Sequence, residues 1–229
     1  VALTKKVQGC TALDAQAISN ALYGLRNMSN SHKVRGLIAA LTPKVSDCRD
    51  TFKAQEIGNA LYGLQKIGDS DEVRQLIVAL TPKVSDCRDN FKDQNIGNAL
   101  YGLQNIGDSA EVRGLIVALT PKVSNCRDRF KAQAIGNALY GLQKIGDSVE
   151  VRQLIVALTK KVQGCTALDA QAIGNALYGL KNMSDSHEVR GLIAALTPKV
   201  SNCRDRFKAQ EIGNALYGLQ NIGDSAEVR

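Results

Sequence analysis

The sequence predicts an all-α fold, an α-solenoid (superhelix) of about six two-helix repeats of 38–39 residues. Two observations predict it. The hexapeptide NALYGL occurs six times, and its tyrosines are separated by 39, 39, 39, 38 and 39 residues. Each period also contains two segments with the apolar spacing of an amphipathic helix. Repeats of this length bury their apolar faces by stacking on their neighbours, so the array grows in one direction.

The first helix of each repeat, helix A, is clearest in AQEIGNALYGLQKIGDS, residues 54–70. Apolar residues from Ile57 to Ile67 recur at helical spacing and predict one buried face. Gly68 follows the last of them. Because glycine is the common residue just beyond a helix C-terminus, we expect helix A to end there.

The second helix, helix B, is predicted in EVRQLIVALTPKV, residues 72–84, where apolar residues again follow helical spacing. Ser70 is a suitable N-cap, and two acids follow it in the first turn, where the helix dipole favours them. Pro82 lies inside the pattern, and Lys5 and Lys160 take its place in the two shorter repeats. Since proline removes one backbone donor, we expect the helix to kink or restart at this position.

A loop, SDCRDTFK in residues 46–53, returns the chain to the next helix A. We expect Phe52 to act as an apolar plug beneath this loop. The shorter repeats read KKVQGCTALDAQ in this region, so Leu13 and Leu168 are expected to take the same place.

The sequence also has a longer period, which comprises four repeats. Residues 1–74 and 156–229 align without a gap and differ at only eight positions, so four repeats form a superunit of 155 residues. We therefore interpret residues 1–229 as a single repeat array, with one superunit in 1–155 and part of a second in 156–229. Both ends fall within a predicted helix B and have no polar capping repeat, so we expect the chain to be a window on a longer array.

The composition, 44% hydrophobic and 22% charged residues, is that of a folded protein, and no stretch approaches 18 apolar residues. We expect no membrane partner. The six cysteines recur once per repeat, and stacked helices lie ~8–10 Å apart, beyond the ~7 Å that a disulfide spans. Free thiols and a reducing intracellular compartment are therefore expected. With only His32 and His187 beside them, neither a metal site nor a cofactor is predicted.

Polar residues line the side of helix A opposite its core face. An asparagine and a tyrosine recur there in all six repeats, although asparagine is a poor helix former. One hypothesis is that the amides hydrogen-bond the bases of a single-stranded RNA and the tyrosines stack on them. The structural alternative is that glycine lets A helices approach, asparagine hydrogen-bonds between repeats and tyrosine packs between them. The candidate RNA-binding residues are Asn20, Asn59, Asn98, Asn137, Asn175, Asn214, Tyr23, Tyr62, Tyr101, Tyr140, Tyr178, Tyr217, Lys66 and Lys144.

Basic residues gather at the loop from helix B to helix A, and acidic residues, such as Asp69, Glu72 and Asp108, at the turn from A to B. Stacking would turn them into two edges of opposite sign. The basic edge could hold RNA phosphates, two arrays could associate edge to edge, or the charges could simply complement the ends of helix B. A net charge of +7 and a pI near 9.1 favour a polyanion. The candidate phosphate-binding residues are Lys44, Arg49, Lys53, Lys83, Arg88, Lys92, Lys122, Arg127, Arg129, Lys131, Lys199, Arg204, Arg206 and Lys208.

The sequence carries no constellation for enzyme chemistry. No Gly-rich phosphate loop, zinc spacing or nucleophile–base pair is present, and both histidines follow predicted helix B caps, where we expect them to be solvated. No catalytic residue and no small-molecule substrate are therefore predicted.

The stretch FKAQEIGNALYGLQKIG, residues 52–68, resembles the first helix of the octotricopeptide repeats and similar NALYGLQ repeats of algal and protist arrays. The matching residues are Phe52, Gln55, Asn59, Leu61, Tyr62 and Leu64, with their equivalents in the other repeats. The resemblance implies an α-solenoid in a plastid or mitochondrion that binds RNA and supports its processing, stability or translation. Ala54 replaces the usual proline of that motif.

The repeats are more uniform than a base-by-base reader of RNA requires. One position that varies is the third residue of helix A, which reads Ala, Glu, Asn, Ala, Ala and Glu along the array. We therefore predict a non-catalytic binding protein for single-stranded RNA along the polar stripe of helix A. The alternative is a structural repeat protein that self-assembles or scaffolds protein partners through stacked repeats and oppositely charged edges.

Overall fold

The computed structural model describes residues 2–224, and within that range it contains twelve α-helices and no strand. The A helices are α2 (Ala15–Gly24), α4 (Ala54–Tyr62), α6 (Asp93–Tyr101), α8 (Ala132–Tyr140), α10 (Ala170–Tyr178) and α12 (Ala209–Gly218). The B helices are α1 (Ala2–Gly9), α3 (His32–Asp47), α5 (Asp71–Asp86), α7 (Ala110–Asn125), α9 (Val149–Gly164) and α11 (His187–Ser201). The predicted all-α solenoid of two-helix repeats is confirmed.

The helices form two layers, because each A helix packs mainly on the A helices before and after it and each B helix on neighbouring B helices. The core lies between the layers and continues from repeat to repeat. Apolar residues predicted to be buried, such as Ile57, Leu61 and Leu76, are at most 1% exposed. The plug residues Phe52 and Leu168 are buried as well. The apolar periodicity therefore identified the core face of both helices.

Helix A ends earlier than Gly68. The regular helix α4 stops at Tyr62, and the chain continues in tighter turns, in which the N–H of Leu64 donates to the carbonyl of Leu61 at 2.9 Å. Such bonds between residues three apart satisfy the last carbonyls of the helix, so no left-handed glycine is needed to end it. Gly68 accordingly has a negative φ, and the predicted stop at this glycine is corrected.

Helix B does not break at its proline. Helix α5 runs from Asp71 to Asp86 with Pro82 inside it. The missing N–H leaves the carbonyl of Val78, one turn earlier, without its helical donor. Val78 is 55% exposed and Pro82 is exposed too, so this carbonyl lies on the outer surface, where water can hydrogen-bond it. The predicted restart is therefore wrong, because α5 is one continuous helix through Pro82, whereas the kink stays a prediction.

Neighbouring A helices approach each other at backbone distance where glycines lie between them, most closely at one glycine in each repeat after the first. A Cβ placed on Gly102 would lie 2.0 Å from the carbonyl oxygen of Leu61, and one on Gly141 would lie 2.0 Å from that of Leu100. Real Cβ atoms do not come so close to a carbonyl oxygen. The interpretation that these glycines permit close helix packing is confirmed, and the tightness of the A layer depends on it.

Candidate binding face of the A helices

The solvent side of the A layer carries parallel rows of amides, and we call this surface the A face. It is formed by the positions of Gln55, Asn59 and Tyr62 in α4 and by the equivalent positions of the other A helices. Because every A helix is related to the next by the same step, equivalent side chains form continuous rows across the array.

Shallow depressions lie between consecutive A helices on this face. One, of about 180 Å³, lies between α6 and α8. It is lined by Asp93, Gln94, Asn98, Lys131, Gln133, Ala134 and Asn137. The next lies between α8 and α10, and again a glutamine and an asparagine from each helix line it. The two amide rows are therefore contiguous across neighbouring repeats.

The asparagines of the A face have no partner within the protein. Among residues 2–224, none of these six side chains hydrogen-bonds to another group of the chain. Asn59, Asn98, Asn137 and Asn175 are nonetheless half-buried beside the next repeat. The suggested hydrogen bond between repeats is therefore not formed, and the row of amides is available to a ligand.

The tyrosines of the A face stack on one another in a continuous ladder. Ring centroids of adjacent repeats are 5.6–5.9 Å apart, and the rings are inclined by only 22–30°. Offset stacking in this range is favourable for aromatic pairs. The interpretation that tyrosine packs between repeats is therefore confirmed.

The ladder leaves little room for a base. A base between two rings needs a gap of about 3.5 Å on each side, roughly 7 Å in total. The rings Tyr62 and Tyr101 are 5.8 Å apart, so the repeats would have to separate before a base could enter. The stacking of bases on these tyrosines stays a prediction that requires the ladder to open.

A cation lies against the tyrosine of each shorter repeat. The guanidinium of Arg26 is 4.4 Å from the centroid of Tyr23, and the ammonium of Lys181 is 4.2 Å from that of Tyr178, both in the range of cation–π contacts. In three longer repeats the same position is a buried glutamine, such as Gln104. Sequence reasoning missed this contact, although the change from glutamine to a cation in the shorter repeats was its signal.

Four of the fourteen predicted phosphate-binding residues hold the preceding B helix. The ammonium of Lys83 donates to the carbonyl of Cys48 at 2.6 Å, and that of Lys122 to the carbonyl of Cys87 at 2.7 Å. Lys44 and Lys199 make the equivalent bonds. These lysines satisfy carbonyls just beyond a helix C-terminus, where the helix dipole also favours a positive charge. A phosphate contact would have to compete with these bonds.

The other ten basic residues of the predicted edge are exposed, and no partner for their charged groups exists in the described part of the chain. They are Arg49, Lys53, Arg88, Lys92, Arg127, Arg129, Lys131, Arg204, Arg206 and Lys208.

Helix capping explains the varying third position of helix A. The carboxylate of Glu56 accepts from the N–H of Lys53 at 2.7 Å, and Glu211 does the same in the last A helix. An alanine stands at this position where the N-cap itself is an aspartate, as in α10, where Asp169 accepts from Ala172. Helix α8 has neither a glutamate at its third position nor an aspartate at its N-cap. There, Asp93 of the preceding repeat accepts from the N–H of Lys131 at 3.1 Å.

The acids at the turn from A to B pair with arginines of the same repeat. Asp147 accepts two bonds from Arg152, of 2.8 and 2.7 Å, and Asp69 accepts two from Arg74. The hydrogen bonds from arginine hold the pKa of both aspartates below the usual range, although burial opposes the shift. Edge-to-edge association of two arrays would compete with these internal ion pairs.

The cysteines are free thiols, four of them buried. Burial raises the pKa of Cys87 and Cys126, so a smaller fraction of each thiol is in the reactive thiolate form. Between residues 2 and 224, no group of three or more metal-binding side chains is assembled. None of the described helices combines the length and apolar character needed to cross a membrane.

Comparison with known proteins identifies a fold. No family model matches the chain, and no curated protein matches it. A crystal structure of computationally designed armadillo repeat proteins for modular peptide recognition is similar, with a TM-score of 0.53 over 90% of this chain and 92% of that one. At 19% sequence identity, the similarity shows a shared helical repeat fold alone.

Proposed function

We propose that the chain is a non-catalytic binding protein that holds an extended peptide along the A face. The row of unpaired asparagines carries this proposal. Each amide presents one acceptor oxygen and an NH₂ donor, the complement of the N–H and C=O of a peptide main chain. Half-buried amides such as Asn98 and Asn137, in contact with the next repeat, are also partly ordered before the ligand binds.

The spacing of the tyrosine rings supports an extended ligand. Two residues of a β-strand span roughly 6.6 Å, and the tyrosine rings of adjacent repeats are 5.6–5.9 Å apart. Along the row of rings, one dipeptide per repeat would therefore nearly keep step. The similarity in fold to designed armadillo repeat proteins, which were made for modular peptide recognition, supports this proposal.

A pair of matched variants tests the proposal. Asn98→Ala with Asn137→Ala removes two amides from the A face, whereas Gln75→Ala with Gln153→Ala removes two exposed amides from B helices. Each lost amide removes hydrogen bonds of about 1 kcal/mol, so the asparagine variant should bind at least tenfold more weakly. The measurement is binding to an array of peptides built from every two-residue repeat. Equal affinities for both variants would contradict the proposal.

Single-stranded RNA is the second candidate ligand, and the exposed arginines and lysines of the basic edge favour it. Arg127, Arg129 and Lys131 lie close in sequence with one intervening acid, and Arg204, Arg206 and Lys208 repeat the arrangement. The resemblance to octotricopeptide repeats points the same way. Fluorescence anisotropy with RNA homopolymers at two salt concentrations tests it. Submicromolar binding that Arg127→Gln with Arg129→Gln weakens would support RNA, whereas binding to peptides alone would exclude it.

A further inference from the structure

We propose that the peptide held on the A face is uncharged and carries carboxamide side chains, those of glutamine or asparagine, which bind in the depressions between A helices. This inference rests on the proposed peptide-binding function and names the chemical class of its ligand. It follows from the groups that the depressions share, the signs of the charges beside them and the amides that lack partners.

Four amides line each of the two depressions on the A face. The depression between α6 and α8 has Gln94, Asn98, Gln133 and Asn137, and the depression between α8 and α10 has Gln133, Asn137, Gln171 and Asn175. None of these side chains hydrogen-bonds to another group among residues 2–224. Because each amide offers both donors and an acceptor oxygen, each depression presents both kinds of group to a ligand.

The charged side chains that line the depressions are of both signs. Asp93 and Lys131 line the first depression, and Asp169 lines the second. Asp93 and Asp169 accept backbone N–H groups at 3.1 and 2.7 Å, and such bonds favour the charged form of a carboxyl group. A ligand carboxylate would therefore lie near an aspartate in both depressions, and a ligand ammonium would lie near Lys131 in the first. Neither charge is favoured.

Two buried glutamines beside the tyrosine ladder also lack partners. Gln65 and Gln104, each three residues after a tyrosine, are 7% and 8% exposed, and neither side chain forms a hydrogen bond within the described range. Buried amides are normally paired, because an unpaired one costs free energy. A ligand group that reaches them with a hydrogen bond therefore gains affinity.

The next glutamine of this row shows that a polar group along the ladder can reach it. Oε1 of Gln143 accepts from the ammonium of Lys181 at 3.4 Å. The same ammonium donates to the hydroxyl of Tyr178 at 3.0 Å. In the repeats of Gln65 and Gln104, an N–H group of the ligand could make the equivalent bonds.

A carboxamide suits these groups because it donates and accepts, as the amides of the A face do. A leucine side chain would cover the same amides without pairing them, which is unfavourable. RNA bases also donate and accept, but RNA carries a phosphate charge at every nucleotide, along a face that Asp93 and Asp169 line. An uncharged peptide meets no like charge there, and it is favoured for that reason.

Labelled peptides of about twelve residues, enough for two per repeat over the array, provide the test by fluorescence anisotropy. Their sequences alternate threonine with glutamine, glutamate, lysine or leucine, and a uridine oligomer serves as the RNA probe. We expect the glutamine peptide to bind at least about fivefold more tightly than the other three, because it alone pairs the amides. Its affinity should be equal at low and at high salt, since it has no charge to screen.

The variant that tests the depressions carries Gln94→Met and Gln133→Met, and Gln133 lines both of them. Methionine has a similar length and an equally high helix propensity, so the fold should be retained. The variant should lose most of the preference for the glutamine peptide over the leucine peptide. A control with Gln75→Met and Gln153→Met, exposed glutamines of B helices, should keep the preference.

The outcomes separate the two proposals. Equal binding of the four peptides, or tighter binding of the glutamate, lysine or leucine peptide, would overturn the carboxamide ligand and leave peptide binding intact. A preference for glutamine that survives in the variant with two methionines would also refute the inference. Binding of the uridine oligomer without binding of any peptide, or no binding of any probe, would overturn both.

Discussion

At the scale of single residues, glycine decides how closely the repeats stack. The position of Gly102 recurs in every repeat, and its backbone touches the preceding A helix at the carbonyl of Leu61. Gly114 lies on the exposed surface of α7 and has nothing within 4 Å of where a Cβ would be. The same amino acid is therefore required at one position and replaceable at the other.

Alanine at these two glycines should have opposite effects. Gly102→Ala forces two backbones apart and should destabilise the protein by about 1–3 kcal/mol. Gly114→Ala should stabilise it by up to about 1 kcal/mol, because alanine favours a helix interior. Urea unfolding followed by circular dichroism measures both. A Gly102→Ala protein as stable as the parent would show that the A helices are not fixed at this distance.

The sequence pattern indicated that the asparagine of the A face is important, but the surroundings of its amide are known only from the structure. Its recurrence in a helix that does not favour it indicated a role outside the core. That the amide has no partner between residues 2 and 224 depends on where the next repeat places its own polar groups. The sequence contains no information about the distance between this amide and the polar groups of the next repeat.

At the scale of the helices, the end of each B helix is completed by its neighbour. The ammonium of Lys122 donates to the carbonyls of Cys87 and Ser85, 35 and 37 residues earlier in the chain. Lys92, the N-cap residue of α6, lies at the same side of the array. Its ammonium is exposed and has no partner in the described residues. The two lysines therefore have different environments despite similar positions in the charge pattern.

Replacing each of these lysines by methionine distinguishes the two roles. Lys122→Met should cost about 1.5–3 kcal/mol, since a charged donor to partly buried carbonyls is lost. Lys92→Met should change stability by less than about 0.5 kcal/mol. Thermal unfolding of both variants gives the comparison. Equal effects would mean that the bonds of Lys122 contribute little in solution.

The ion pair at the start of α9 should make stability depend on pH. The hydrogen bonds from Arg152 lower the pKa of Asp147 in the folded state. The pair therefore contributes stability that is fully present above the unfolded-state pKa of about 4 and is lost as the pH falls through the folded value.

Asp147→Asn should consequently lower the melting temperature at pH 7 and flatten its decline below about pH 4. Asp86→Asn is the control, because Asp86 is exposed and has no partner in the part of the chain described. The measurement is the melting temperature of the parent and of both variants across the acidic pH range. Parallel curves for Asp147→Asn and the parent would argue against the ion pair.

At the scale of the whole molecule, the array is built from interchangeable units. Each A or B helix contacts mainly its equivalents in the two adjacent repeats. Lys92 and Lys131 occupy the same position, so residues 93–131 are one complete repeat.

Deletion of residues 93–131 should leave a folded array, because Lys92 would then precede Ala132 as Lys131 does in the parent. The denaturant dependence of unfolding should fall by roughly a sixth, in proportion to the surface that is lost. Deletion of only half of this segment should prevent cooperative folding. Helicity and urea unfolding of both proteins test the expectation, and loss of structure after the full deletion would contradict it.

Much of this molecule was determined by its sequence alone. The NALYGL period and the apolar spacing within it predicted an all-α solenoid, the two helices of each repeat and their core residues, because stacking of equivalent amphipathic helices is the simplest way to bury such a pattern. Local rules were less reliable at helix ends, where Gly68 and Pro82 did not act as the stops they resemble.

Only the tertiary structure decided which polar groups are free. The tyrosine ladder, the bonds of Lys122 and the cap that Asp93 provides join residues of adjacent repeats, 35 to 39 positions apart. Their geometry depends on the distance between neighbouring helices, which packing at the glycines sets and helical periodicity does not. The same packing leaves the asparagines and the outer lysines without partners, and this is why the A face could be described only once the repeats were seen together.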